Sequence, residues 1–192
     1  PDHVYNLASP SSVAESFKFP SETVTVISLG AIDLLEAIRI HSPHSRYYQA
    51  SSSEMFGNNG LQMQDEDSPF VPQSPYAVGK VCAHLNTGMY RKSQNIFACC
   101  GILFNHESPL RGQNFVSRKI THAIARIERG KQDCLSLGNV DVRRDFGFAG
   151  DYVQAMYMMM NQDTPSNYVI ATGQSHSIRE FANQAMDLCG IR

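Results

Sequence analysis

Apolar positions recur along the chain with alternating periods, and their order predicts strands separated by helices. His3 to Leu7 reads as a short buried strand, and from about Ser21 to Ile40 the residues Val24, Ile27, Ala31, Leu34, Leu35 and Ile38 fall at helical spacing. A polar break leads to Arg46–Ser51, a second strand, and the turn-rich stretch from Asn58 to Pro75 reads as loop. A helix is predicted from Tyr76 to about Arg91, followed by a buried strand over Ala98–Phe104 and a Gly/Pro-containing loop from Asn105 to Asn114. Val116, Ile120, Ile124 and Ile127 stripe another helix that Gly130 stops. Strands are predicted at Cys134–Leu137 and Tyr168–Ala171, with a helix near Asp151–Asn161 between them. Ser177 and Glu180 have the spacing of a capping box, opening a last helix toward Leu188.

This alternation implies a mainly parallel sheet covered on both faces. Sites in such sheets lie at the carboxyl ends of the strands. Polar clusters follow Leu7, Ser51 and Phe104, three such ends.

Composition narrows the possible partners. Of 192 residues, 42% are hydrophobic and 18% charged, with a formal net charge of -2, so no broad field draws nucleic acid or a membrane surface. An anionic ligand must be held by a few placed cations. No segment approaches the roughly 20 apolar residues of a membrane-spanning helix. The opening residues, Pro1 to Tyr5, lack an initiator Met and the layout of a signal peptide, so the sequence is expected to begin inside a longer protein. The five cysteines have no Cys-x-x-Cys spacing and read as reduced core thiols of a cytoplasmic protein, with Cys99 and Cys100 on opposite faces of a strand. The seven histidines form no ligand cluster, and no metal is expected. Met156, Met158, Met159 and Met160 read as core filler on a helix.

The candidate chemistry begins with Tyr76-Ala77-Val78-Gly79-Lys80 at a helix start. Residues four apart share a helix face, which brings an ammonium near a phenol. A nearby cation stabilises a phenolate, which can take a proton from an alcohol while hydride leaves the same carbon. Any helix can show this spacing by chance. Ser51-Ser52-Ser53-Glu54, just after a strand, adds hydroxyls and a carboxylate. Alone it reads as a solvated turn; with Tyr76 and Lys80 the catalytic reading is favoured.

These segments, with Ser74-Pro75 before Tyr76 and Gly101-Ile102-Leu103-Phe104-Asn105-His106-Glu107-Ser108-Pro109, closely resemble GDP-mannose 4,6-dehydratases, members of the extended short-chain dehydrogenase group. The resemblance extends through Arg111-Gly112, Phe115–Ile120, Leu137-Gly138-Asn139 and Arg143-Arg144-Asp145-Phe146-Gly147, over essentially the whole chain. It implies an α/β fold: a Rossmann-like, doubly wound parallel sheet lacking its N-terminal strands, with a partial C-terminal substrate domain. Residues 1–104 would be the C-terminal part of an NADP-binding domain. Residues 105–192 would contribute to the substrate domain and return to the sheet.

The resemblance also implies roles. Tyr76 would be the base for the sugar 4-hydroxyl; Lys80 would lower its pKa and bind the nicotinamide ribose. Ser52 stands at the family's active-site Thr, and Glu54 at its acid/base for sugar positions 5 and 6. The NADP contacts would be Leu7, Ala8, Ser9, Ser11, Tyr76, Lys80, His106 and Arg111. The GDP-mannose contacts would be Asn105, Lys119, Leu137, Gly138, Asn139 and Arg144. A homo-oligomer, dimer or tetramer, is implied, with Arg111 reaching a neighbour's cofactor. The sequence departs from the family pattern at Pro10 and Ser12, and at Glu22 where related enzymes often carry a cofactor-contacting Tyr. The alternatives are another nucleotide-sugar enzyme of this group, a 4-epimerase or 4-ketoreductase, or an inactive truncated remnant.

Overall fold

The computed structural model describes residues 1–58, 60 and 63–191, so part of the predicted loop after Asn58 lies outside the described residues. The chain forms two compact units, Pro1–Leu103 with Val153–Ile170, and Phe104–Tyr152 with Ala171–Arg192.

In the first unit, β1 (His3–Asn6) is followed by a single helical turn, α1 (Val13–Ser16). Then comes a long helical run: α2 (Pro20–Val24), a π-helical turn (Thr25–Leu29) and α3 (Gly30–His41). Next are β2 (Arg46–Ser52), a 3-10 turn (Ser53–Met55), α4 (Pro75–Ser93) and β3 (Ala98–Leu103). The second unit contains β4 (Asn105–Glu107), α5 (Val116–Glu128) and β5 (Arg143–Phe148). The unit boundary falls inside α6 (Ala149–Met160), after which β6 (Asn167–Ile170) belongs to the first unit. β7 (Ser175–Ser177) and α7 (Ile178–Leu188) complete the second.

The first unit carries a four-stranded sheet of order β1-β2-β3-β6, parallel throughout, so every strand ends at the same edge. Cys99 and Cys100 show how it is covered. Both are fully buried, but the Cys99 thiol donates to the Met159 carbonyl of α6 and the Cys100 thiol to the His84 carbonyl of α4. Successive strand residues face opposite ways, so helices lie on both faces, as in a Rossmann-type fold. Leu35 and Ile38 of α3, Tyr90 of α4, and Tyr47, Ile96 and Ala98 form one core cluster, to which each fully buried Leu or Ile contributes about 2 kcal/mol. The predicted helical stripe persists through the π turn, with Ile27 and Ala31 packing on Ala83, except at Leu34, which is exposed.

The second unit holds β4 and β5 in parallel and β5 and β7 antiparallel. Its core gathers Ile120 and Ile124 of α5 with Ile178 of α7. The capping box is formed: Ser177 Oγ accepts from the Glu180 amide, and the Glu180 carboxylate accepts from the Ser177 amide, both at 3.0 Å.

Several expectations are corrected. Cys134–Leu137 is not a strand; Leu135 and Leu137 pack on the α5–α7 core without a sheet partner. The segment expected as loop from Asn105 begins as β4. Cys134 and Cys189 are exposed, so they are not core thiols, and Met158 is exposed while Met156, Met159 and Met160 are buried. Among the described residues no helix is long and apolar enough to cross a membrane.

Candidate functional site

The polar cluster at the carboxyl edge of the first sheet starts at Asn6. Its amide donates to Tyr47 Oη at 3.0 Å and Gln49 Oε1 at 2.9 Å, and its Oδ1 accepts from the Ala8 amide at 3.2 Å. This buried triplet fixes how the chain leaves β1 into the segment Leu7–Ser11. There Leu7, Ala8 and Ser11 are exposed and Ser9 is half-buried.

One strand over, β2 ends at Ser52. Its Oγ accepts from the Glu54 amide at 3.2 Å, turning the chain into the 3-10 turn that carries Glu54 half-buried. Gly57 follows with φ of 55°, and a side chain there would collide with the Val71 carbonyl. Only glycine closes this turn without strain.

The facing helix, α4, starts at a Ser74 cap whose Oγ accepts from the Ala77 amide at 3.1 Å, with Pro75 in its first turn. Tyr76 and Lys80 therefore fall in the first two turns. Gly79 lies between them because the helix passes close to Ile27: a Cβ would stand 3.2 Å from the Ile27 Cβ. Lys80 is 4% exposed, its Nζ donating to the Ala50 carbonyl at 2.8 Å and lying 5.6 Å from the centre of the Tyr76 ring. Tyr76, Lys80, Ser52 and Glu54 thus all belong to the first unit, with Lys80 bonded two residues before Ser52.

Burial without a carboxylate partner pushes the Lys80 ammonium down from 10.5 to about 8. Between those values the unfolded chain holds a proton that the folded one has released, so stability rises with pH across that window. The cost is fully present below pH 8, about 3 kcal/mol, and is gone above pH 10.5. In the ligand-free protein, urea unfolding of wild type against Lys80→Met should show wild type gaining about 3 kcal/mol relative to the variant from pH 7 to pH 11. A constant difference across that range would mean that the ammonium is solvated.

His84 follows one turn later, 4% exposed, and sequence reasoning missed it. Its Nδ1 lies 2.9 Å from Ser51 Oγ and its Nε2 3.3 Å from Asn167 Nδ2.

The remaining expected residues are in the second unit. Asn105 and His106 form part of β4; His106 Nδ1 donates to the Phe104 carbonyl at 2.9 Å and its ring stacks on Tyr152 at 4.9 Å. Arg111 is held in place, its Nε 3.2 Å from the Glu107 carboxylate and its guanidinium 3.6 Å above the Phe115 ring. The same carboxylate accepts from the Ser117 hydroxyl at 2.5 Å. Lys119 and Arg144 are exposed cations, Gly138 and Asn139 are exposed, and Leu137 is half-buried. Asp145 was another residue without an expected role. Buried on β5, it accepts from the Thr172 amide at 3.0 Å and the Gly173 amide at 2.8 Å, tying the chain after β6 to β5. Its only signal in the sequence is its place inside the Arg-Arg-Asp-Phe-Gly block.

Comparison with known proteins agrees with this architecture. The chain is 51% identical over 195 residues to GDP-mannose 4,6 dehydratase 1 of Arabidopsis thaliana, covering 100% of this chain and 54% of that protein. It is 50% identical over 193 residues to GDP-mannose 4,6-dehydratase of Yersinia enterocolitica, covering 100% and 52%. The chain thus spans about half the length of the curated relatives it matches. Among solved structures, RMD from Pseudomonas aeruginosa complexed with NADPH superposes with a TM-score of 0.93 at 27% identity, covering 100% of this chain and 66% of that one. A nucleoside-diphosphate-hexosamine 5,6-dehydratase described as NAD-dependent superposes at 0.86 with 26% identity, covering 99% and 62%. The family model for GDP-mannose 4,6 dehydratase matches residues 1–192, and the chain belongs to that family.

Proposed function

We propose that the full-length protein converts GDP-mannose to GDP-4-keto-6-deoxy-mannose and water, with NADP as a cofactor restored in each turnover. The observation that carries this reading is the Glu54 carboxylate, set by the Ser52-capped turn at the end of β2, in the same unit as Tyr76 and Lys80. Moving hydrogen at an alcohol carbon calls only for the hydroxyl, phenol and ammonium. Removing water from the adjacent carbons calls for an added acid/base, and Glu54 supplies it.

The residues suit a nicotinamide nucleotide. Lys80 has three N–H bonds, of which the Ala50 carbonyl takes one, so the buried ammonium has donors for ribose hydroxyls. The segment Leu7–Ser11 at the same sheet edge, with Leu7, Ala8 and Ser11 exposed, would supply further NADP contacts, as would His106 and Arg111. Held there, NADP would supply the hydride acceptor for sugar C4 and the hydride donor for C6.

Tyr76 takes the proton of the 4-hydroxyl, and Ser52 donates a hydrogen bond to the 4-oxygen. The ketone so formed acidifies the C5 proton. Glu54 removes that proton and delivers it to the C6 hydroxyl, which departs as water. A proton returned to C5 balances the one Tyr76 took. Asn105, Leu137, Gly138 and Asn139 contact the sugar nucleotide, and the exposed cations Lys119 and Arg144 neutralise its diphosphate. A homo-oligomer in which Arg111 approaches a neighbour's cofactor belongs to the same reading.

The test is mass spectrometry of GDP-mannose incubated with the full-length protein and substoichiometric NADP. Loss of one water, with turnovers exceeding the cofactor supplied, is the expected result. Unchanged mass with inverted stereochemistry would point to an epimerase, and an untouched substrate would remove the proposal.

A further inference from the structure

We infer that His84, as a neutral imidazole, fixes the register of α4 against β2 and so positions Tyr76 relative to Ser52 and Glu54. This role, that of a positioning residue, rests on the function proposed above.

Tyr76, Lys80 and His84 are four residues apart and line one face of α4. Two of the three reach β2 at consecutive residues, Lys80 to the Ala50 carbonyl and His84 to Ser51 Oγ, immediately before Ser52. A slip of one strand residue moves the chain about 3.3 Å. The flexible Lys80 side chain can follow such a slip to a neighbouring carbonyl. A planar imidazole bonded on two sides cannot.

The hydrogen-bond directions are set from the far end. Arg91 Nη2 donates to Asn167 Oδ1 at 2.7 Å, which turns the Asn167 amide nitrogen toward His84 Nε2. An amide NH2 only donates, so Nε2 must accept, and the single ring proton sits on Nδ1 and is donated to Ser51 Oγ. The Ser51 hydroxyl is left to bond the Cys100 thiol on β3. One ring thus ties α4 to β2 and, through Asn167, to β6. Phe70 packs edge-to-face with the imidazole, ring centres 5.2 Å apart at 80°. A proton on Nε2 would face the Asn167 amide hydrogens, near the Arg91 cation. Burial, and secondarily Arg91, accordingly hold the imidazole down to about 4.

Two variants of the full-length enzyme separate positioning from mere support. His84→Phe keeps a ring and removes both nitrogens; His84→Asn restores an amide N–H near the place of Nδ1. The expected result for His84→Phe is a kcat on GDP-mannose lower by on the order of 10- to 100-fold, with little change in KM. Deuterium at sugar C4 should slow this variant more than wild type, and His84→Asn should recover most of kcat. Unchanged kcat in His84→Phe would overturn the inference. So would losses that merely track the folded fraction, with the isotope effect of wild type. Nitrogen NMR of the wild-type ring is independent of turnover: a lone proton on Nδ1 at neutral pH is expected, and a proton on Nε2 overturns the inference. Wild-type protein that leaves GDP-mannose unchanged refutes the proposed function, whereas active wild type with an unimpaired His84→Phe variant refutes this inference alone.

Discussion

Replacing Tyr76 with Phe should lower kcat/KM for GDP-mannose by on the order of 10^2- to 10^4-fold, the usual span for a positioned acid/base. The substitution deletes one oxygen and keeps the ring that packs on Ile27, Ala31 and Ala83 and faces the Lys80 ammonium. Helix α4 is capped by Ser74, upstream of the change, so its start does not depend on the phenol. The loss should therefore appear in turnover with the folded fraction preserved. It should also appear early in the reaction. Without a base for the 4-hydroxyl, ketone formation slows by the same factor, so a single-turnover mixture with NADP should show no absorbance of reduced cofactor on the wild-type time scale. The sugar C5 hydrogen should not exchange with deuterated water, because only a 4-ketone acidifies it. A variant that still reduces cofactor at the wild-type rate would show that another group takes the proton.

The parts of this molecule that were legible in the sequence are those whose signal is local. The helical stripe Val24–Ile38, the apolar run at Ala98–Leu103 and the Ser177–Glu180 box each declare themselves within a few residues, and the structure has all three. So does the Tyr76–Lys80 pair, because four-residue spacing on a helix is a geometric statement. The short strands of the second unit were not legible. β5 opens Arg143-Arg144-Asp145, with both arginines exposed, and its strand character comes from pairing with β4 and β7. Cys134–Leu137 misled in the opposite direction: the segment reads as a strand, yet Leu135 and Leu137 pack on helices. His84 and Asp145 were hidden because their partners are distant. His84 meets Ser51 33 positions away and Asn167 83 away, and Asp145 meets Thr172 27 away. Such contacts exist only once the sheet order is known.

The Glu54→Gln variant should stop the reaction at a different point, and that difference separates the two roles. Glu54 keeps its backbone bond to Ser52 Oγ whatever its side chain, and Gln matches its volume, so the turn after β2 should be retained. Tyr76, Lys80 and Ser52 are untouched, so hydrogen should still leave C4. With NADP and GDP-mannose this variant should therefore form reduced cofactor and hold it, where the Tyr76→Phe variant forms none. An amide cannot take the C5 proton, so water loss should fall by on the order of 10^2- to 10^4-fold. Deuterium from solvent should no longer enter at C5. The oxidised sugar should then be found as the 4-ketone of unchanged GDP-mannose skeleton, two hydrogens lighter and with its 6-oxygen still present. Mass spectrometry of the quenched mixture reads both features at once. If Glu54→Gln instead releases water at the wild-type rate, the carboxylate is only a turn residue and elimination must be assigned to another acid/base.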